Sequence, residues 1–239
     1  MAKIESKDSH LRDILKDELY YQIPIYQRPY QWTEENCEKL LDDLFFNYED
    51  DRESDYFCGS LVLIAIGTDS ATNAKTYDIV DGQQRLSTFI LLAKVLATLY
   101  NNEVLNDKTS RDFLEKSLGD TDGEKRKRLT FNTIGLNAKD DFQDALDFFD
   151  NSHASKNNKN NYLKNAACLK NYLRKKEIED INDFIEWLYF KVVFITITCP
   201  EADKALRIFN VLNARGLALS ATDIFKGELL KHTKEHEQE

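Results

Sequence analysis

The chain has 239 residues, of which 42 % are apolar and 31 % are charged, and its formal net charge at pH 7 is −10. This length suffices for one large domain or two small ones with a substantial core. No apolar run approaches the roughly 18 residues that a membrane helix needs, and the charged N-terminus lacks the apolar centre of a signal peptide. We therefore expect a cytoplasmic protein without membrane contact. The acidic charge also argues against broad, non-specific adhesion to nucleic acid, because neutralised phosphates supply most of that affinity.

An aromatic segment interrupted by prolines is the first structural signal along the chain. Residues 21–32 read YQIPIYQRPYQW. Pro24 and Pro29 forbid a continuous helix there and favour an extended path. Thr33 and the two glutamates after it then predict a helix start. The apolar residues that follow recur at helical spacing and predict one buried helix face: Cys37, Leu40, Leu41, Leu44 and Phe45.

A strand, a tight turn and a helix are expected next. Residues 56–66 (YFCGSLVLIAI) predict a buried strand, and residues 77–80 predict a second, shorter one. The string DGQQR, residues 81–85, comes directly after the second strand. Apolar residues at helical spacing from Leu86 then predict a helix that reaches about Tyr100. This is the most informative local arrangement in the sequence.

The second stretch of the chain, residues 101–184, is mostly helical in pattern, with one expected strand at 129–131. Residues 151–161 have almost no apolar content and predict a mobile loop. The only dense basic cluster in the sequence, residues 125–128 (KRKR), is best explained as a solvated loop.

The third stretch returns to regular patterns. Residues 191–198 (KVVFITIT) are β-branched and predict a strand, which Pro200 closes. A helix face runs from 202 to 212, a turn follows at 213–216, and a further helix is expected from 222 to about 230. These elements together predict an α+β fold class.

The DGQQR string has the features of an anion site. A helix N-terminus presents unpaired backbone N–H groups and a partial positive charge, and Gly82 permits the tight turn that lets an anion approach. Arg85 could make a two-pronged contact with phosphate oxygens, and Gln83 and Gln84 offer amides that donate and accept. Asp81 would hold Mg²⁺ or position water beside a phosphate. The alternative is that Asp81 only caps the helix and Arg85 makes a surface ion pair.

A second candidate contact lies in the aromatic segment, where Arg28 is interleaved with four residues. Cationic and aromatic side chains in this pattern suit stacking on a base together with phosphate contact. The alternative is an aromatic edge of the core, with Arg28 stacked on its own neighbours. The four candidate base or DNA contacts are Tyr26, Gln27, Tyr30 and Trp32.

A third polar group spans residues 209–226, which read FNVLNARGLALSATDIFK. Asn213, Arg215 and Gly216 fall where a helix is expected to end, and Lys226 lies on the next expected helix. Polar residues at two helix ends could line a pocket. The alternative is that Gly216 serves only as a helix C-cap.

Together these segments resemble one family. The strings IPxYQRxYxW, FxGS, DGQQRLST and IFNxLNxRGxxLSxxDIFK occur in order between residues 22 and 226. They are similar to the N-terminal domain of the GmrSD modification-dependent restriction systems. The resemblance implies a ParB/sulfiredoxin-like mixed sheet with surrounding helices and a largely helical middle segment. It also implies a single domain over 1–239, with residues 1–100 and 185–239 in the lobe that bears the site and 101–184 in a helical lobe.

The resemblance implies that the domain binds and hydrolyses a nucleoside triphosphate with Mg²⁺. Turnover would license cleavage of DNA, expected to be modified phage DNA, by an HNH-type nuclease. No HNH histidine cluster follows Lys226, so the nuclease is expected in a separate domain or subunit. The residues implied in catalysis are Asp81, Gln83, Gln84 and Arg85, with Asp81 also the candidate Mg²⁺ ligand. Those implied in nucleotide binding are Arg28, Gly82, Arg85, Asn213, Arg215, Gly216 and Lys226.

Two other functions remain open at this point. One is a binding module that senses a nucleotide or modified DNA without hydrolysis. The other is a DNA endonuclease in its own right, against which the acidic charge and the missing nuclease motif count. The sequence also leaves open the preferred base, the DNA modification that is sensed and whether the chain forms a homodimer.

Overall fold

A six-stranded mixed sheet organises the protein. The computed structural model describes residues 4–100, 103–105, 107–119, 126–132, 137–148 and 159–213. The strands are β1 (Glu5–His10), β2 (Leu19–Ile23), β3 (Tyr56–Thr68), β4 (Lys75–Asp81), β5 (Leu129–Phe131) and β6 (Val192–Cys199). Their order across the sheet is β1-β6-β3-β4-β2-β5. The pairs β1/β6 and β3/β4 are antiparallel, and the other three pairs are parallel.

Eight helices accompany the sheet in the described part of the chain. They are α1 (Leu11–Ile14), α2 (Glu34–Asp50), α3 (Gln83–Leu99), α4 (Lys108–Leu118), α5 (Ala138–Asp147), α6 (Asn161–Lys175), α7 (Ile181–Lys191) and α8 (Ala202–Asn213). The combination of a mixed sheet with these helices confirms the α+β prediction.

The side chains of β3 alternate between two cores, as the two-residue period of a strand requires. Leu61 and Leu63 face the larger core, which also contains the buried sides of α2, α3, α6 and α7. Val62 and Ile64 face the opposite side, where Ala205 of α8 packs in a smaller core. The sheet therefore separates most of the helices from α8.

Most of the predicted elements are confirmed. The predicted apolar face of α2 is buried, and α2 begins where the Thr33 backbone N–H donates to Asn36 Oδ1 at 2.9 Å. β3, β4, α3, β5, β6 and α8 all form within a few residues of the predicted bounds. Residues 151–158 of the predicted mobile loop lie outside the described residues, whereas Asn160 is buried and its side chain caps α6 by accepting from Leu163 N at 3.0 Å. The helix expected at 222–230 lies outside the described residues, and the division into two lobes stays a prediction.

The basic cluster at 125–128 is not a solvated loop at its C-terminal end, and that prediction was wrong. Arg128 is 0 % exposed. Its Nε donates to the carbonyl of Lys116 at 2.9 Å, and its guanidinium also donates to the carbonyl of Leu19. Asp17 Oδ1 lies 3.6 Å from its Nη2, so the guanidinium can remain charged in the interior, where hydrogen bonds and a carboxylate stabilise it. Lys116 lies in the last turn of α4, so Arg128 ties the end of α4 to β2 and β5.

Candidate functional site

The start of α3 is pressed against β3 at a glycine. Gly82 adopts a left-handed conformation with φ +93°, and a Cβ on it would lie 2.9 Å from the carbonyl oxygen of Ser60 and 2.9 Å from Leu61 Cδ1. No described side chain caps the first turn of α3. Within the described residues this helix start therefore has the uncapped form that the predicted anion site requires.

The guanidinium of Arg85 lies over a second glycine, in β3. Gly59 has φ +117°, and a Cβ on it would lie 2.8 Å from Arg85 Cζ. The pairing of β3 with β6 shifts register between Phe57 and Gly59, which indicates a β-bulge at this point. Arg85 thus occupies the space that the missing side chain of Gly59 leaves, and its Nη1 donates to the carbonyl of Ser60 at 3.3 Å.

Ser60 also contacts Asp81. Its hydroxyl donates to Asp81 Oδ2 at 3.1 Å, while its carbonyl accepts from Arg85. Asp81 is opposite Val62 in the antiparallel pair, so both side chains are on the sheet face that α8 covers. Among the described ion pairs, none joins Asp81 or Arg85 to a partner.

The alternative offered for DGQQR is therefore wrong in both parts. Asp81 does not cap α3, because the one hydrogen bond that its side chain makes in the described structure is with Ser60. Arg85 makes no described surface ion pair and is half-buried against Gly59. Neither side chain has the role that this alternative gives it within the described ranges.

The two glutamines of DGQQR hold the aromatic loop, which we define as residues 24–32. Gln83 Nε2 donates to the carbonyl of Arg28 at 2.7 Å. Gln84 Oε1 accepts from the backbone N–H groups of Gln31 at 2.8 Å and Trp32 at 3.0 Å. In each glutamine, one polar atom of the side-chain amide is therefore hydrogen-bonded to the aromatic loop. The other polar atoms, Gln83 Oε1 and Gln84 Nε2, are buried and have no hydrogen-bond partner in the described structure.

Gln27 attaches the aromatic loop to the end of β4. Its Nε2 donates to the carbonyls of Ile79 at 3.1 Å and Val80 at 2.5 Å. These carbonyls directly precede Asp81 in the chain. Gln27 is therefore a structural link beside the candidate site, and its predicted contact with DNA stays a prediction.

Tyr30 belongs to the core. It is 7 % exposed, and its ring stacks on Tyr162 of α6 with the centroids 4.0 Å apart. Its hydroxyl pairs with Thr88 Oγ1 at 2.7 Å and accepts from Asn165 Nδ2 at 2.9 Å. The alternative of an aromatic edge of the core is thus confirmed for Tyr30, whose ring is already stacked within the protein.

The remaining residues of the loop are more accessible. Arg28 is exposed, and in the described structure its side chain stacks on no ring and pairs with no carboxylate. Tyr26 and Trp32 are half-buried, and Asn165 Nδ2 donates to the Trp32 carbonyl at 2.8 Å. Burial, with the Asp78 carboxylate as a smaller cause, raises the pKa of Tyr26, so its phenol is neutral. Arg28 is the residue of this loop best placed to contact an anion.

The third group of predicted residues is described only at its beginning. Asn213 is the last residue of α8, and Phe209 of the same helix packs in the smaller core with Val62 and Val80. This places α8 on the sheet face to which Asp81 belongs. Arg215, Gly216 and Lys226 lie outside the described residues.

Three residues that support the site were given no role by sequence reasoning. Gly59 and Ser60 end the FxGS string of the family resemblance, which carried no proposed contact, although a glycine inside a strand is a signal for a bulge or a close approach. Asn165 is 0 % exposed on α6 and holds the aromatic loop from the far side. A fully buried asparagine in a helical pattern carries no local signal, since its partners are more than 100 residues away in the chain.

A thiol and a phenol that both stay protonated lie near Arg85, and the Asp43 carboxylate is close to both of them. Burial raises the pKa of the Cys58 thiol to about 12, with Arg85 lowering it and Asp43 raising it less strongly. Burial likewise raises the pKa of Tyr56 to about 12. A thiol that stays protonated at neutral pH is a poor nucleophile, so Cys58 serves as packing beside the guanidinium.

A magnesium ion fits this site only together with phosphate groups. Within the described ranges, no cluster of three or more His, Cys, Asp or Glu side chains could hold a metal ion. Mg²⁺ is usually bound by one or two carboxylates, with substrate phosphates and water completing its ligands. Asp81, with one oxygen held by Ser60, meets that pattern as a single carboxylate.

The comparisons with known proteins agree with the motifs. The sequence profile described as GmrSD restriction endonuclease, N-terminal domain, matches residues 11–230. Among curated proteins, no sequence matches the chain. Among the helices that the structure describes, none is long and apolar enough to cross a membrane. Because the match spans most of the 239 residues, the chain belongs to the family of GmrSD restriction endonuclease N-terminal domains and is a component of a restriction system.

Proposed function

We propose that this chain binds and hydrolyses a nucleoside triphosphate at the DGQQR site and thereby regulates DNA cleavage by a restriction system. One observation carries the proposal. Asp81 and Arg85 are both held by Ser60 at the uncapped start of a helix, and they do not pair with each other. A cation, a carboxylate and free backbone N–H groups in one place are what a phosphate chain with its counter-ion requires.

The phosphate contacts are assigned to α3 and the aromatic loop. The first-turn N–H groups of α3 would donate hydrogen bonds to a phosphate, and Arg85 contributes a guanidinium that can bind two of its oxygens. Arg28 supplies a second cation from the exposed side of the loop. Asn213, Arg215, Gly216 and Lys226 follow from the family resemblance as further nucleotide contacts.

Asp81 is assigned to the metal side of the site. It would hold Mg²⁺, which neutralises charge on the phosphates when it is bound. The unpartnered Gln83 Oε1 and Gln84 Nε2 support a role for both glutamines in orienting water or ligand, because each retains a hydrogen-bonding atom. In this arrangement the protein's own residues bind, orient and stabilise charge.

The proposed partners follow from the family. A restriction system acts on DNA, and we propose modified phage DNA as the target, with cleavage by an HNH-type nuclease in a separate domain or subunit. The proposed place of action is the cytoplasm, where phage DNA enters. Nucleotide turnover would be the step that licenses the nuclease.

A second candidate function is a nucleotide-sensing module without hydrolysis. It is favoured by the engagement of Gln83 Nε2 and Gln84 Oε1 with the backbone of the aromatic loop. If both amides serve only to hold the loop, no described side chain besides Asp81 is left to position a water. The loop would then report the bound nucleotide to a partner.

Phosphate release from ATP, GTP, CTP and UTP with Mg²⁺ tests the proposal. The assay is run both with and without modified DNA. We expect the wild-type protein to hydrolyse the nucleotide and Arg85→Ala and Asp81→Ala to lose this activity. Arg174→Ala, which removes an exposed arginine of α6, is the matched control and should retain turnover. Saturable nucleotide binding without phosphate release would establish the sensing module instead. Turnover that survives both site substitutions in folded protein would refute the proposed site.

A further inference from the structure

The Gly59-Ser60 pair on β3 lies against three of the five DGQQR residues. The Ser60 hydroxyl contacts Asp81, and its carbonyl contacts Arg85 and lies 2.9 Å from the position that a Cβ of Gly82 would take. Gly59 receives the guanidinium of Arg85. The pair belongs to a different strand from DGQQR, so its position is set by the pairing of β3 with β4 and β6.

We propose that Gly59 and Ser60 are positioning residues that keep the Arg85 guanidinium and the Asp81 carboxylate apart, so that one can bind phosphate while the other binds a divalent cation. This inference rests on the proposed nucleotide function of the site. Asp81 ends β4 and Arg85 lies in the first turn of α3, so two opposite charges only four residues apart would attract each other if nothing else engaged them. Each is instead engaged separately by a neutral group.

Gly59 positions the Arg85 guanidinium. Its positive φ and its lack of a side chain create a recess in β3, and the guanidinium fills that recess. An alanine at this position would bring a methyl group to 2.8 Å from Arg85 Cζ, so the guanidinium has to shift out of the recess. Gly67, near the end of the same strand, has no positive φ, and a Cβ added to it would meet nothing within 4 Å. Gly67→Ala is therefore the matched control, because the added methyl group causes no clash there.

Ser60 orients the Asp81 carboxylate. Its hydroxyl donates to Asp81 Oδ2 and so orients the carboxylate, whose other oxygen makes no hydrogen bond with the described residues. Alanine at this position removes the hydroxyl but keeps the main-chain carbonyl that receives Arg85. Ser54 offers a matched control, because its hydroxyl donates to Asp51 Oδ2 at 2.5 Å in an exposed turn. Ser54→Ala therefore deletes the same kind of hydrogen bond in another part of the structure.

The two substitutions should affect different ligands. We expect Gly59→Ala to weaken binding of inorganic tripolyphosphate about tenfold, as Arg85→Ala does, because a charge-assisted two-pronged contact is lost. Ser60→Ala should bind tripolyphosphate without Mg²⁺ within about twofold of the wild type, since the guanidinium stays in place. With Mg²⁺ present, the cation concentration needed for half-maximal binding should rise about fivefold, and Ser60→Thr should restore it.

Titration calorimetry with tripolyphosphate and with each of the four nucleoside triphosphates, at zero and saturating Mg²⁺, measures these effects. Side-chain NMR gives a second measurement that needs no ligand. The Arg85 Nε–H signal, identified by its loss in Arg85→Ala, should shift in Gly59→Ala and not in Gly67→Ala. The Asp81 carboxyl carbon signal should shift in Ser60→Ala and not in Ser54→Ala.

The outcomes separate this inference from the proposed function. Unchanged NMR signals in folded Gly59→Ala and Ser60→Ala would overturn the positioning roles, whatever the protein binds. Shifted signals in a protein that binds neither tripolyphosphate nor any nucleotide would support the positions and refute the nucleotide function. Equal loss of metal-free binding in Gly59→Ala and Ser60→Ala would overturn the separation of the two roles.

Discussion

Gln84 provides a sharp test of how the DGQQR site and the aromatic loop depend on each other. Its Oε1 accepts two backbone hydrogen bonds, at 2.8 Å from Gln31 and 3.0 Å from Trp32. A neutral hydrogen bond contributes about 0.5–1.5 kcal/mol net, so Gln84→Ala should lower the free energy of unfolding by about 1–3 kcal/mol. Gln84→Glu keeps an acceptor in place and adds a negative charge at a helix start, and its stability should lie within about 1 kcal/mol of the wild type.

The same two variants should rank differently in nucleotide binding. A carboxylate in the first turn of α3 repels a triphosphate, so Gln84→Glu should weaken its binding about tenfold although the protein is stable. Urea unfolding followed by tryptophan fluorescence suits the stability measurement, because Trp32 lies at the contact itself. Gln31→Ala is the control, since Gln31 contributes a backbone N–H and its side chain is exposed. Equal stability of Gln84→Ala and wild type would refute the assignment of Gln84 as the support of the loop.

Three further predictions concern other parts of the structure. Arg128→Met should lower the free energy of unfolding by about 3–5 kcal/mol, because buried carbonyls lose their donor. The control Lys127→Met, at an exposed position, should change the free energy of unfolding by less than about 0.5 kcal/mol. Urea titrations that give similar values for the two variants would refute the buried role of Arg128. Burial raises the pKa of Cys58 from 9.0 to about 12, so the folded state keeps a proton that the unfolded state loses, and stability should fall as pH rises from 9 towards 12. Cys58→Ala should flatten that fall by up to about 1.4 kcal/mol per pH unit, and an unchanged pH profile would contradict the assignment. Arg28→Ala should leave the unfolding midpoint nearly unchanged but weaken tripolyphosphate binding several-fold, most strongly at low salt, because Arg28 is exposed. Calorimetry at two ionic strengths measures this effect. A loss of affinity that does not depend on salt would contradict an exposed electrostatic contact.

The sequence predicted those helices and strands in which apolar residues recur at a clear helical or strand spacing. The apolar face of α2 and the strand–turn–helix around DGQQR each appear in the structure close to their predicted bounds. These elements bury one side or both, so their composition has to follow the period of a helix or strand. Glycine at position 82 likewise has a local cause, because only a residue without a side chain fits the approach to β3.

β1 has no apolar period that would predict it as a strand. Residues 5–10 read ESKDSH, and four of the six are exposed, so no apolar alternation marks them as a strand. They form one because β6 offers an unpaired edge, with Glu5 opposite Thr198 and His10 opposite Val193. Backbone pairing supplies the interaction, and backbone groups are the same in every sequence.

Sequence patterns alone predicted the α+β class, most of the helices and strands and the family, all of which are confirmed, and they predicted an anion site at DGQQR. The order of the strands, the burial of Arg128 and the contacts of Gly59 and Ser60 with DGQQR came only from the folded chain. The difference lies in the range of the interactions. A helix start or an apolar period is a property of residues a few positions apart, whereas the partners of Arg85, Gln84 and Arg128 lie 25, 53 and 109 residues away in the chain.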